Sequence, residues 1–189
     1  MTAYELQKDI AGEVERILQC MLLKDVKGNT GHLKAYAQAL PKRTQNIRDY
    51  EEAGAAPDVS VISDEDIVLD EDVIINEILE DDPYPYCIIM VNSGEIQPSQ
   101  NVHEVQITLV FGIFDDDKEC QGHQVIMNMI HKVAERFIKN PYLKEKYRLN
   151  HDAGIKWILG DDDQYPYYFG AVEMTWDTFF VRLEDDKYV

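Results

Sequence analysis

The segment that most constrains the fold of this chain is Val105–Phe114, where apolar and polar side chains alternate. Because successive side chains of a β-strand point to opposite faces, this period of two predicts a strand with one buried face. We expect a central strand whose buried face packs on the helix predicted at Gly122–Lys139. The apolar positions are Val105, Ile107, Leu109, Phe111 and Ile113, and the polar positions are Glu104, Gln106 and Thr108.

Two segments have the spacing of amphipathic helices. The first begins at a capping box formed by Thr2 and Glu5 and is expected to end at the turn cluster Gly28–Gly31. The second covers Gly122–Lys139, and Asn140-Pro141 ends it. We interpret both apolar stripes as core-facing. They consist of Leu6, Ile10, Val14, Ile17, Leu18, Met21 and Leu22 in the first helix and of Val125, Ile126, Met129, Ile130, Val133 and Phe137 in the second.

Shorter patterns predict the other strands. Apolar runs indicate strands at Cys87–Val91 and Ile155–Leu159, and His32–Leu40 has a weak alternation that suits a short strand or a helix. A C-terminal hairpin is expected from Tyr167–Trp176 and Phe179–Leu183, with three side chains of its first strand facing inward: Val172, Met174 and Trp176.

Two similar acidic, Tyr-Pro-Tyr-containing segments precede predicted strands, at Asp81–Tyr86 and Asp161–Tyr167. A proline cannot donate a hydrogen bond to a sheet, so it belongs at the start of a strand or on an edge. We therefore expect these two segments to give matching starts to two neighbouring strands.

The fold class that follows is α+β, with a mixed, mainly antiparallel sheet packed against two amphipathic helices. Residues 1–189 are expected to form a single domain that carries one inserted segment, Pro41–Asp82. In that segment isolated aliphatic residues alternate with acidic ones, which is typical of an extended arm or hairpin. We expect the arm to become ordered mainly against a neighbouring subunit or another partner.

The charge balance excludes one class of function. The chain has 36 acidic and 18 basic residues, which gives a formal net charge of −18. Because such a surface repels phosphates and has few cations to replace counterions, specific DNA or RNA binding is not expected. Solubility alone would explain most of these charges.

The length of the apolar runs, the N-terminal residues and the cysteine usage indicate the cellular compartment. No apolar run approaches the roughly 20 residues that a membrane span requires, and the N-terminus has no secretory signal pattern. The three cysteines, Cys20, Cys87 and Cys120, are widely spaced and odd in number, which favours a reducing compartment. We expect a cytoplasmic protein in which Cys87 is a core residue rather than a reactive thiol.

The patterns closest to a metal site are incomplete. Cys120-x-x-His123 has no second ligand pair. Asp115-x-Asp117-x-Glu119 resembles the start of a calcium loop, but Cys120 stands where glycine is needed and Ile126 where the twelfth-position glutamate is needed. No metal ligand is therefore assigned.

Catalytic patterns are also not found. No Gly-rich phosphate loop, nucleophile elbow or paired-histidine zinc helix occurs in the sequence. His103 and His151 are scattered, whereas His123 and His131 lie two turns apart on what we interpret as a solvated helix face. We therefore assign no catalytic, cofactor-binding or metal-binding residues and no cofactor, and we expect a protein that is not an enzyme.

The order of elements in the second half of the chain resembles that of a known family. A Tyr-Pro-Tyr start precedes an apolar strand at Tyr84–Val91, and a long strand ends in Gly-Ile-Phe-Asp-Asp-Asp at Gly112–Asp117. A helix then carries Met-Asn-Met-Ile within Gly122–Ile130, and Asn-Pro-Tyr-Leu follows at Asn140–Leu143 before the closing strand at Tyr165–Trp176. The pattern is similar to the tail-terminator (minor tail or tail-completion) proteins of tailed bacteriophages and prophage-like particles.

This resemblance covers roughly Asp82–Leu183 and the opening helix, and it implies both an architecture and a role. It implies a helix–strand–helix–strand domain, assembled as a hexameric ring that caps the head-proximal end of the tail tube, ends its polymerisation and joins it to the neck. The implied partners are further copies of the chain, the tail tube protein, a neck or head-completion protein and, as a further candidate, the tail sheath. DNA would pass through the lumen without specific binding, and the location would be the virion, after synthesis in the host cytoplasm.

Three alternatives stay open beside this interpretation. A head–tail connector or neck completion protein belongs to the same class of structural virion proteins. A small acidic metal-dependent enzyme and an adaptor that mimics nucleic acid belong to different classes. If a ring forms, we expect a cluster of its carboxylates to face the lumen, where they would repel the phosphates of passing DNA.

Overall fold

Two α-helices and nine β-strands make up the described part of the chain, residues 2–40, 83–97, 102–118, 121–160 and 165–179 of the computed structural model. The predicted arm, Pro41–Asp82, lies outside these residues. The helices are α1, Ala3–Leu18, and α2, Gly122–Lys139. The strands are β1, Leu23–Lys24; β2, Thr30–Gly31; β3, Lys34–Ala37; β4, Tyr86–Gln97; β5, Val102–Phe114; β6, Tyr142–Leu143; β7, Tyr147–Leu149; β8, Ile155–Leu159; and β9, Tyr167–Phe179.

Seven of the described strands form one curled sheet in the order β3-β4-β5-β9-β7-β6, with β8 paired to β9 as well. Strands β7 and β8 share one edge of β9: β7 pairs with its end and β8 with its middle. All pairs in this sheet are antiparallel except β3 with β4, and β1 and β2 form a separate antiparallel pair. Both helices pack against the sheet, so the predicted α+β class is confirmed.

Strand β5 is the centre of the sheet, as its alternation predicted. It pairs with β4 on one side and, over its full length and without a register shift, with β9 on the other. Ile107 and Leu109 are completely buried opposite Met174 and Val172. At Gly170, across from Phe111, an added Cβ would come within 2.5 Å of Ile126 in α2. The glycine therefore lets the helix lie close to the sheet.

The first helix is shorter than its apolar stripe predicted. The capping box is present: Thr2 Oγ1 accepts from the Glu5 amide at 3.2 Å, and Glu5 Oε2 accepts from the Thr2 amide at 3.1 Å. However, α1 ends at Leu18 and not near Gly28, because the chain turns into the β1–β2 pair. In that turn Gly28 has a positive φ of 79°, and the Asp25 carboxylate accepts from the Asn29 amide at 2.8 Å.

Because α1 ends at Leu18, the prediction for two residues of its apolar stripe needs correction. Met21 lies beyond the helix and is half-buried against the core, while Leu22 is 67% exposed. Leu23, which the helical spacing did not select, is buried in β1 instead.

Two strand predictions need correction as well. The predicted turn between Trp176 and Phe179 is wrong, because β9 continues to Phe179 and Thr178 pairs with strands on both sides. The Thr178 hydroxyl also donates to the His103 carbonyl oxygen at 3.1 Å. Of the second strand of that hairpin, residues 180–183 lie outside the described part.

The two strands that follow Tyr-Pro-Tyr segments are also not neighbours. Strand β5 lies between β4 and β9, so the prediction of adjacent strands is wrong. The two starts nevertheless meet at one end of the sheet, where the rings of Tyr84 and Tyr167 lie 5.1 Å apart. The weak alternation at His32–Leu40 does form a strand, β3, and Gln38 ends it with a φ of 66°.

Candidate protein-interaction surfaces

The sheet has two faces of different character. One face carries the buried core together with the apolar sides of α1 and α2, including Ile10, Ile107 and Ile130. The strand register places the even-numbered residues of β5 on the second face, where all of them except the buried Gly112 are half-buried. Among the described residues no helix lies over this second face, which makes it a candidate surface.

An apolar row crosses the second face at right angles to the strands. Register pairs connect its members from β3 through β4, β5 and β9 to β8. Four members are half-buried, and the last, at the β8 end, is 62% exposed. The apolar row consists of Tyr36, Ile88, Val110, Ala171 and Ile158.

An acidic row crosses the same face nearer the β4–β5 hairpin. Glu95 of β4 lies opposite Glu104 of β5, which lies opposite Asp177 of β9. Next to the acidic row, uncharged side chains such as Gln106 and Thr175 line, together with Glu95 and Glu104, a groove of about 520 Å³. The second face therefore has an apolar part and an acidic part, and the polar part between them includes the ion pair of Lys156 with Glu173.

Strand β8 forms an apolar edge of the sheet. Among the described strands it pairs with β9 alone, so its outer backbone edge faces away from the sheet. Trp157 points to the helix side, where its ring meets His131 edge-on at 6.3 Å, and it is still 49% exposed. Ile158 points to the second face. An edge strand with large exposed apolar side chains on both faces is a template for pairing with another chain.

A basic segment lies beside this edge. Between Lys132 and Arg148 the chain has six Lys or Arg residues and two glutamates, in a protein whose net charge is −18. Its turn between β6 and β7 carries Lys144 and Lys146, and Arg148 of β7 lies opposite Asp177. Lys144 forms an ion pair with Asp9 at 2.6 Å, which ties the turn to α1. Arg136 and Lys139 of this segment also form ion pairs, with Glu13 and Glu135, so the positive charge beside the edge is smaller than the sequence count suggests.

The residues that sequence patterns suggested for metal binding do not come together. Asp115 Oδ1 accepts from the Asp117 amide at 3.1 Å, which is a local turn contact. Glu119 and Cys120 lie outside the described part of the chain. His123 is exposed. In the described residues no three His, Cys, Asp or Glu side chains are placed to hold a metal ion.

Two cysteines differ in their surroundings. Cys87 is completely buried, and burial raises the pKa of its thiol well above the ordinary value, so the predicted core role is confirmed. Cys20 is exposed and accepts a hydrogen bond from Lys132 Nζ at 3.2 Å.

Comparisons with known protein families and with curated proteins give no match for this chain. Neither described helix has the length and apolar character needed to cross a bilayer.

Some features of these surfaces were visible in the sequence and were missed. The excess of basic residues from Lys132 to Arg148 can be counted directly. The exposure of Trp157 and Ile158 could not be inferred from their apolar run, because a buried strand and an edge strand share that pattern. The acidic row depends on the register of three strands, which the sequence does not specify.

Proposed function

We propose that this chain is a structural virion-assembly protein that caps the head-proximal end of a phage tail tube as an oligomeric ring. In this role it ends tube polymerisation and forms the surface that joins the tail to the neck. The observation that carries the proposal is the β8 edge, where Trp157 and Ile158 expose apolar surface on both sides of a strand. Such an edge is suited to binding another protein.

The order of elements supports the same role. A helix, a group of strands, a second helix and a second group of strands follow one another, as the resemblance to tail terminators led us to expect. The β5 and α2 segments that carry much of that resemblance are the centre of the sheet and the helix packed against it. The likeness therefore involves core elements rather than peripheral ones.

The proposed partners follow from the position of the ring at the head-proximal end of the tail tube. Further copies of this chain form the ring, the tail tube protein lies below it, and a neck or head-completion protein, with the tail sheath as a further candidate, lies around or above it. DNA passes through the lumen without specific binding, and carboxylates such as those of the acidic row would repel its phosphates. The protein is made in the host cytoplasm, acts in the virion and catalyses no reaction.

Inactivating the gene in the genome that encodes it tests this function. Electron microscopy of the resulting particles should show overlong tails that carry no heads, and supplying the gene in trans should restore tails of normal length. Tails of normal length that carry no heads would instead assign the chain to the neck, as a completion protein. Intact particles would show that the chain is not a structural part of the tail.

A further inference from the structure

We draw no further inference here: the strongest candidate, the apolar β8 edge with Trp157 and Ile158, belongs to the surface on which the proposed function already rests, and nothing in the described part of the chain shows what covers it.

Discussion

The side-chain amide of Gln7, 5% exposed in α1, donates to the backbone carbonyl oxygen of Ile89 in β4 at 2.6 Å. The same Nε2 contacts Oε1 of Gln38 at 3.1 Å, and that oxygen also accepts from the Val91 amide at 3.1 Å. A buried polar side chain is tolerated when its hydrogen bonds are made. These bonds connect the first helix to the residues where β3 ends and β4 continues.

Replacing Gln7 by leucine keeps most of the side-chain volume but removes these hydrogen bonds. We expect Gln7→Leu to lower the free energy of unfolding by about 1–3 kcal/mol, measured by urea denaturation. The same substitution at Gln19, which is exposed at the end of α1, should change it by less than about 0.5 kcal/mol. Equal effects at the two positions would contradict a structural role for the buried amide.

The core face of β5 offers a second comparison. Ile107 is completely buried, so Ile107→Ala should cost about 2–5 kcal/mol, and Leu109→Ala should fall in the same range. Ile158→Ala makes the same chemical change at an exposed site and should cost far less. Denaturant melts of the two isoleucine variants measure the difference directly. A loss below about 0.5 kcal/mol at Ile107 would show that this face is not core.

The centre of this fold was predictable because its signals are local and repeated. The alternation in β5 and the helical spacing in α2 each repeat over several residues, and the observed α2 has the predicted bounds, Gly122–Lys139. The end of α1 was not predictable from spacing, because the apolar stripe continues past Leu18, where the helix ends and the chain turns into the β1–β2 pair. The continuation of β9 through Asp177 depends on pairing with β5 and β7, which lie far away in sequence.

The candidate surfaces were less predictable than the core. Whether Trp157 is buried or exposed depends on what covers β8, and sequence periodicity does not report this. The acidic row arises when three strands align Glu95, Glu104 and Asp177, and a shift of one residue in either register would separate them. The sequence did indicate an acidic surface, but the row itself is a product of the register.

Glu13 makes the stability dependent on pH. Its carboxylate accepts two hydrogen bonds from Arg16, at 2.7 and 2.8 Å, and forms an ion pair with Arg136 of α2 at 2.7 Å. The hydrogen bond to Arg16 and then the charge of Arg136 hold the pKa of Glu13 below its ordinary value of 4.5, although burial opposes this. Because the folded pKa is the lower one, the stabilisation is fully present above about pH 4.5 and is lost as the pH falls through the folded pKa.

We therefore expect Glu13→Gln to destabilise the protein at pH 7 and to have a smaller effect at pH 3. The difference in unfolding free energy between the variant and the unmodified chain, measured at both pH values, checks this. Glu135→Gln is the control, because Glu135 pairs with Lys139 on the exposed side of α2, where solvent screens the interaction. A Glu13→Gln effect that does not change with pH would mean that the carboxylate charge contributes nothing.

The acidic row should reduce the stability of the domain. Glu104 is its middle member, with Glu95 opposite on one side and Asp177 opposite on the other. Favourable cross-strand pairs contribute roughly 0.2–1 kcal/mol each, and like charges directly opposite each other are destabilising. We therefore expect Glu104→Gln to raise the free energy of unfolding at low salt, by an amount on the order of one such pair. The gain should shrink in about 1 M salt, where the screening length falls to roughly 3 Å.

Glu173 on the same strand face as Asp177 is the matched control for this substitution. Its carboxylate pairs with Lys156 Nζ at 3.3 Å, and its register partner on β5 is the uncharged Thr108. Glu173→Gln should therefore be neutral or slightly destabilising at low salt, because it removes an attraction rather than a repulsion. Urea denaturation of both variants at two salt concentrations shows whether each substitution raises or lowers the free energy of unfolding. If Glu104→Gln lowers stability, or if its gain does not depend on salt, then repulsion within the acidic row does not act on the folded state.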